Sequence, residues 1–221
     1  MDDLTLVIPA KNEKESLPIV LQELYKYNLN IIVVLEANDT ETIESINSFD
    51  CEILFQKNKG YGDALIQGIK SVKTKYFCIF NADGSFIPDE LKSMLYISKN
   101  HNYDLVFGSR YEKNSSSEDD TIITLIGNKF FSLIGKIFFS LPITDILYTY
   151  VLGKTEKVKN LDLVCKDFCF CVELPIKAHK NKLNLISSPA NERKRIAGKK
   201  KVNALKDGYK ILISILKFKF I

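Results

Sequence analysis

The sequence predicts an α/β fold with a mostly parallel central sheet flanked by helices, and three observations carry that expectation. Short apolar runs rich in β-branched or aromatic residues alternate with amphipathic helical patterns over the first 110 residues. The 221 residues, 46% hydrophobic and 26% charged, supply enough apolar mass for one large domain, and exclude wholesale disorder, a collagen-like chain or a bare coiled coil. Polar, charged and glycine-containing segments recur directly after the apolar runs, where parallel sheets bind their ligands.

Residues 4–8, 31–35, 52–56, 76–80 and 105–108 have the length and composition of buried strands. Between the first two, Ser16 is positioned to cap a helix with Pro18 in its first turn, and Leu17, Val20, Leu21 and Leu24 then form one apolar stripe. Residues 40–48, 63–72 and 88–98 read as further helices. Residues 112–120 lack periodicity and read as a mobile loop. Residues 121–143 are very apolar, but Gly127, Lys129, Gly135 and Lys136 interrupt them, which makes a poor membrane span. A buried helix is the expectation there, and a helix lying at a membrane surface is the alternative. Residues 167–182 read as helix and 183–187 as a strand. Residues 192–201 hold six basic side chains in ten, and a helical pattern (Leu205, Tyr209, Leu212, Ile213, Leu216) leads to a Lys/Phe-rich tail. There is no internal repeat.

The net charge of +4 hides an asymmetry. Residues 1–110 carry 11 Lys/Arg against 16 Asp/Glu (net −5), and residues 111–221 carry 20 against 11 (net +9). An acidic half suits a cation and a basic half suits phosphate groups or an anionic surface. The five cysteines (51, 78, 165, 169, 171) lie in apolar segments, and their odd number points to reduced thiols in a cytoplasmic protein. Residues 1–3 lead straight into an apolar run without a basic segment and long apolar stretch, so no signal peptide is expected here. With only His101 and His179, a Ser-His-Asp hydrolase is disfavoured, and Cys165, Cys169 and Cys171 lack zinc-site spacing. The basic run has no aromatic platform, which argues against nucleic acid.

The loops after the strands carry the chemistry. They are Pro9-Ala-Lys-Asn-Glu13, Glu36-Ala-Asn-Asp39, Lys57-Asn-Lys-Gly-Tyr-Gly-Asp63, Asn81-Ala-Asp-Gly-Ser85 and Ser109-Arg-Tyr111. Converging on one sheet edge, they suit a nucleotide, whose base needs hydrogen bonds and whose diphosphate needs a cation. Gly60 and Gly62 permit close backbone approach at a helix start, where free N–H groups favour anions. The Walker pattern is absent.

The order of these motifs resembles the inverting glycosyltransferases of family 2, which have the GT-A nucleotide-diphospho-sugar transferase fold. It is most similar to the branch typified by dolichyl-phosphate mannose synthase and bacterial polyprenyl-phosphate sugar transferases. Leu6-Val-Ile-Pro-Ala-Lys-Asn-Glu13 resembles the opening strand and turn, and Lys59-Gly-Tyr-Gly-Asp63 with the following helix resembles the glycine loop. Phe80-Asn-Ala-Asp83 sits at the Asp-x-Asp metal motif, and Gly108-Ser-Arg-Tyr111, Leu141-Pro-Ile-Thr-Asp145, Phe170-Cys-Val-Glu173 and Arg195-x-x-Gly198-x-x-Lys201 match later motifs. The resemblance spans nearly the whole chain. Four places depart from the pattern: Glu36 where paired aspartates are usual, Asn81 for the first motif Asp, Ser85 where lipid-phosphate members often have a Gln, and Thr149-Tyr-Val151 for Gly-Phe-Arg.

The resemblance implies a GT-A domain over residues 1–190. Residues 191–221 then form a basic acceptor-side loop and C-terminal amphipathic helix of the same domain. It implies a metal-dependent enzyme that moves a sugar from a nucleotide-diphosphate sugar to a polyprenyl (dolichyl-type) phosphate, with inversion. Pro9, Ala10, Asn12, Glu13, Glu36, Lys59, Gly60, Asp63, Asn81, Ala82 and Asp83 would bind the donor. Asp83 would hold Mg²⁺ or Mn²⁺ against the diphosphate. Arg110, Arg195 and Lys201 would position the acceptor phosphate. A lipid phosphate is already anionic near neutral pH; a sugar hydroxyl would need a general base, for which Asp145 is the candidate. Such an enzyme is expected in the cytoplasm, with peripheral contact at the cytosolic face of a membrane. The alternatives are transfer to a glycan or small hydroxyl compound, and a catalytically weak binding subunit that keeps the fold.

Overall fold

The computed structural model describes residues 1–198 and 204–220. In chain order the elements are β1 (Leu4–Pro9), α1 (Leu17–Tyr25), β2 (Asn30–Leu35), α2 (Thr40–Ser45), β3 (Glu52–Phe55), α3 (Tyr61–Ser71), β4 (Tyr76–Ile79), α4 (Glu90–Asn100), β5 (Leu105–Ser109), β6 (Ser116–Ser117), α5 (Ile122–Phe139), β7 (Val151–Lys154), α6 (Thr155–Lys159), α7 (Phe170–Lys180), β8 (Leu185–Pro189), β9 (Asn191–Glu192) and α8 (Ala204–Phe220). Among the described residues seven strands form one sheet in the order β3-β2-β1-β4-β7-β5-β8. Every pairing in it is parallel except those of β7, which runs antiparallel between β4 and β5.

Successive side chains of β1, buried from Leu4 to Ile8, alternate between the two layers that cover the sheet. Leu4, Leu6 and Ile8 face one apolar layer with Leu17, Leu21 and Leu24 of α1 and Leu91 and Met94 of α4. Val7 faces the other layer, with Leu65 and Ile69 of α3 and Phe170 and Val172 of α7. A strand buried on both faces needs apolar residues at successive positions, and β1, β2 and β4 have them. Helix α3 reaches the sheet through Gly68, where a Cβ would stand 2.3 Å from Val7 Cγ1 and 2.9 Å from Val34 Cγ2.

β1 lies between β2 and β4, so the chain winds away from it in both directions. That is the switch point of a doubly wound sheet, and it opens a crevice beyond the strands' carboxyl ends.

Three expectations are corrected. Residues 112–120 are not a free loop: β6 pairs with β9, and the Glu118 N–H donates to the Glu192 carbonyl at 2.9 Å. Residues 121–143 do not form a buried helix, because only Ser132 and Gly135 of α5 are fully buried and the outward side is bare. The antiparallel β7 has no counterpart in the sequence reading. It is four residues long, and its Gly153 lies against the Phe77 ring, where a Cβ would meet Cε1 at 2.8 Å. The cysteines at 51, 78, 165, 169 and 171 are unpaired thiols.

Asp104, at the entry to β5, joins three segments: it accepts the Asn184 N–H at 3.0 Å and the Lys154 ammonium at 2.9 Å. Burial alone would raise its pKa, but those two partners outweigh burial and hold the carboxyl below its ordinary value.

Two predictions follow from this packing. Gly68→Ala should lower the unfolding free energy in urea by about 1–3 kcal/mol, because neither valine can move away from the sheet. Asp104 contributes stability in full above the unfolded carboxylate value of about 3.9, and that stability is lost as pH falls through the depressed folded value. Acid titrations of Asp104→Asn should therefore show a shallower loss of stability below pH of about 4 than wild type.

Candidate active site

The crevice at the switch point is a cleft of about 570 Å³. Pro9 and Ala10 follow β1, Glu36 follows β2, Gln56 follows β3, and Asn81, Ala82 and Asp83 follow β4; all line it. The N-terminal turn of α3 adds Gly60 and Tyr61. Arg110, after β5, and Thr124 and Asn128 of α5 form the opposite wall, with Glu192 and Arg195 closing one side.

On the strand-end side, each turn is held by a short polar bond. The Asn12 N–H donates to Asp39 Oδ2 at 2.7 Å, and Asn12 has a positive φ of 51°. Glu13 accepts the Ser16 hydroxyl at 2.6 Å, and Glu36 is ion-paired with Lys11 at 2.7 Å. Lys11 and Asp39 were not singled out from the sequence. Lys11 sits inside the quoted motif, but only the fold shows it turned toward Glu36.

The glycine loop does something other than expected. At Gly60 φ is +127°, and a Cβ there would stand 2.0 Å from the Lys166 carbonyl oxygen; at Gly62 it would stand 2.1 Å from the Cys165 carbonyl oxygen. The close backbone approach is therefore to the chain's own 165–167 segment, and the Asp63 N–H donates to the Lys166 carbonyl at 3.0 Å. Asp63 lies beneath the loop, accepting the Asn58 N–H and side-chain amide and the Gln67 amide. Lys59 is exposed, and neither Lys59 nor Asp63 lines the cleft.

Asp83 faces the cleft. One carboxyl oxygen accepts the Ser85 N–H at 3.0 Å and the other lies 3.5 Å from Arg195 Nη1. Arg195 also pairs with Asp119 at 3.2 Å, and its Nε is buried without a hydrogen-bond partner among the described residues. The backbone beside it is anchored: the Ile196 N–H donates to the Asp83 carbonyl, and Ile196 packs over Gly84. Lys201 lies outside the described residues.

Arg110 is 8% exposed and sits among three carboxylates. Its Nε and Nη2 grip Asp145 at 2.8 and 3.1 Å, and Nη1 reaches Glu192 at 3.2 Å. Burial works against the guanidinium charge, but Asp145 and Glu192 outweigh it and push the pKa well above its ordinary value. Its plane lies 4.6 Å from the Tyr148 ring centre. Asp120 completes the wall, accepting from Tyr111, Thr124 and Asn128.

The placement of Asp145 corrects its expected role. It is fully buried, does not line the cleft, and both its oxygens hold Arg110. A general base must reach the proton that it removes, so Asp145 acts here as the residue that positions Arg110. Glu173 is likewise fully buried, accepting the Val164 and Cys165 N–H groups and pairing with Lys177 at 2.8 Å. Sequence reasoning missed Asp119, Asp120 and Glu192. Their shared signal was an acidic cluster and a basic cluster far apart in sequence, without periodicity to join them.

A doubly wound α/β domain with a cleft at its switch point has the architecture in which ligands bind beyond the carboxyl ends of the strands. The chain belongs to glycosyl transferase family 2, whose profile matches residues 5–161, and it has the GT-A fold. It is 26% identical to the UDP-N-acetylglucosamine–dolichyl-phosphate N-acetylglucosaminyltransferase of Methanococcus voltae, over 83% of this chain and 83% of that one. It is 25% identical to an uncharacterized glycosyltransferase of Mycobacterium tuberculosis, over 98% of this chain and 96% of that one. Among solved structures it is similar to glucosyl-3-phosphoglycerate synthase of Mycobacterium tuberculosis in complex with Mn²⁺, UDP and glucosyl-3-phosphoglycerate. That likeness has a TM-score of 0.77 at 11% identity, covers 99% of this chain and 80% of that one, and bears on the fold.

Asp145→Asn removes one partner of a buried ion pair and should cost about 3 kcal/mol of stability. Chemical denaturation of this variant checks the positioning role, since an accessible base could be replaced with little loss of stability.

Proposed function

We propose that the chain is an inverting glycosyltransferase that moves a sugar from a nucleotide-diphosphate sugar to a polyprenyl-type lipid phosphate with the help of Mg²⁺ or Mn²⁺. The donor reading is supported by the family and by the cleft at the strand ends, where Glu36 and Gln56 lie on the side expected of the base and Asp83 near that of the diphosphate. The relative from Methanococcus voltae, whose name gives a UDP-sugar and dolichyl phosphate as substrates, supports both ends of the reaction.

The observation that carries the acceptor reading is the state of the carboxylates. Glu13, Glu36, Asp83, Asp119, Asp120 and Glu192 line the cleft, and each has a hydrogen-bond or ion-pair partner. Asp145 is sequestered behind Arg110. An acceptor that arrives as an anion needs no base, and a phosphate monoester with a second pKa of about 6 is such an acceptor. Arg110 and Arg195 supply guanidinium groups at the cleft wall, and the unpartnered Nε of Arg195 is a donor suited to a phosphate oxygen.

The donor set fits a divalent ion shared with substrate. Among the described residues no three His, Cys, Asp or Glu side chains converge into a protein cage. Asp83, with the Asn81 amide nearby, is a hard-oxygen donor of the kind that binds Mg²⁺ through one carboxylate plus phosphate oxygens. Such an ion would neutralise charge on the departing nucleoside diphosphate. Asp83 would hold such an ion in place of its contact with Arg195, whose guanidinium would then be available to an acceptor phosphate.

A second reading, a small hydroxyl acceptor, rests on Glu192. It lines the cleft, and burial raises its pKa against the opposing pull of Arg110 and Ser117. The fold neighbour crystallised with phosphoglyceric acid makes that compound a natural member of an acceptor panel.

Purified chain with UDP-sugars and Mn²⁺ should glycosylate a polyprenyl phosphate in preference to phosphoglyceric acid or free glycans. Asp83→Ala should lower that transfer by about 100-fold or more; unchanged transfer would remove the metal assignment. The rate should rise with the acceptor's second ionisation near pH of about 6 and stay level above it. A rate that instead followed an enzyme group and fell in Glu192→Gln would favour the hydroxyl acceptor.

A further inference from the structure

Helix α5 is predominantly apolar, yet only its inner side is covered. On that side Ser132 Oγ accepts the Ile146 N–H at 3.1 Å, and a Cβ at Gly135 would meet Ile146 at 2.9 Å and Leu141 at 3.1 Å. On the outer side Ile122, Ile126, Phe130, Leu133 and Ile137 are 77, 64, 50, 55 and 65% exposed. Their spacing of four, four, three and four residues lays them along one stripe, with Ile123 beside it. A contiguous bare apolar surface of this kind marks an interaction site. By length and composition α5 could also cross a membrane, with 11% of it buried in the structure. Its fixed inner face argues against that, as do its capped ends: Thr121 caps the first turn, and Ser140 closes the last in a left-handed conformation.

Charge selects the occupant. Helix α5 contains Lys129 and Lys136 and no acidic residue, and both lysines are exposed. Helix α8 packs against α5 and carries Lys206, Lys210, Lys217 and Lys219 against one acid, Asp207. It also exposes Leu216 and Phe220. Two copies of the chain meeting through this surface would bring like charges together, whereas anionic lipid headgroups would neutralise them. Apolar side chains interspersed with lysine, on a helix fixed along one side, form the pattern of a helix lying in a membrane interface.

We propose that the outer face of α5 docks the protein on an anionic lipid bilayer, with the helix lying flat in the headgroup region. The inner side of its first turns lines the cleft: Thr124 and Asn128 both donate to Asp120 in the wall. Docking therefore brings the cleft to the bilayer surface, where a lipid's phosphate can reach Arg110 and Arg195 while its chain stays in the membrane. This deepens the lipid-acceptor reading and rests on it for its purpose, though not for its geometry.

The test is flotation of the full chain with phosphatidylcholine vesicles, with and without phosphatidylglycerol. Wild type should float with the anionic vesicles, less so at high salt. Ile126→Glu/Phe130→Glu/Ile137→Glu should lower the partition coefficient by about tenfold or more while keeping the wild-type unfolding curve. Lys129→Glu/Lys136→Glu should remove much of the salt-sensitive part. Wild type left unbound by anionic vesicles, or a triple variant that floats equally well, overturns the proposal. So does a dimer in light scattering that the triple variant dissolves when no vesicle binding is seen. Transfer to a short-chain, water-soluble prenyl phosphate separates the two readings. If it persists without vesicle binding, docking alone is wrong. If vesicles bind but neither lipid nor soluble prenyl phosphate is glycosylated, the acceptor reading alone is wrong.

Discussion

A buried guanidinium surrounded by carboxylates holds the wall of the cleft beside β5 together. Arg110 comes from the end of β5, Asp145 from the exit of α5, Glu192 from β9 and Asp120 from the cap of α5. Taking these charges out of water is costly, and the cost is offset only where geometry is good and the remaining lone pairs are satisfied. Here the fork of Arg110 meets Asp145 through two bonds, and Ser117, Tyr111, Thr124 and Asn128 satisfy Glu192 and Asp120. Three acids around one arginine leave excess negative charge, and Arg195 stands nearby, between Asp83 and Asp119. Two arginines thus face five carboxylates, Asp83, Asp119, Asp120, Asp145 and Glu192, and this wall of the cleft keeps an excess of negative charge.

The strand-end side depends on a different constraint. Parallel strands buried on both faces keep β1, β2 and β4 in fixed register, and the turns after them are spaced by strand separation. Gly60 and Gly62 let the 165–167 backbone lie against the start of α3, which ties a late segment of the chain to the earliest loops. The two sides meet at Arg193 and Ile196. Arg193 pairs with Glu23 of α1 and donates its N–H to the Ser85 carbonyl, while the Ile196 N–H donates to the Asp83 carbonyl. Residues 193–196 are therefore fastened directly to the loop that carries Asp83.

The strands and helices of the first 110 residues were legible because each buries a repeating pattern that neighbouring residues alone can display. Leu17, Val20, Leu21 and Leu24 show a helix face, and residues 4–8 show a doubly buried strand, wherever they stand in space. The strand-end positions Pro9, Glu36 and Asp83 were legible for the same reason, since the ends of such strands define one edge. β7 was not legible, because four residues carry too little pattern and its place between β4 and β5 comes from partners far away in sequence. The 112–120 segment also read wrongly. Serines and acids look like a solvated loop until Asn191 and Glu192 pair with them.

The sequence by itself determined the fold class, the sheet edge at which the cleft opens and the position of Asp83 on it, since hydrophobic period and the segment that follows each apolar run are displayed by neighbouring residues. Only the tertiary structure decided the roles of Asp145, Asp63 and the outer face of α5. Whether a carboxylate is a base or a clamp, and whether an apolar helix is core or surface, depends on which groups from distant segments arrive beside it and exclude water.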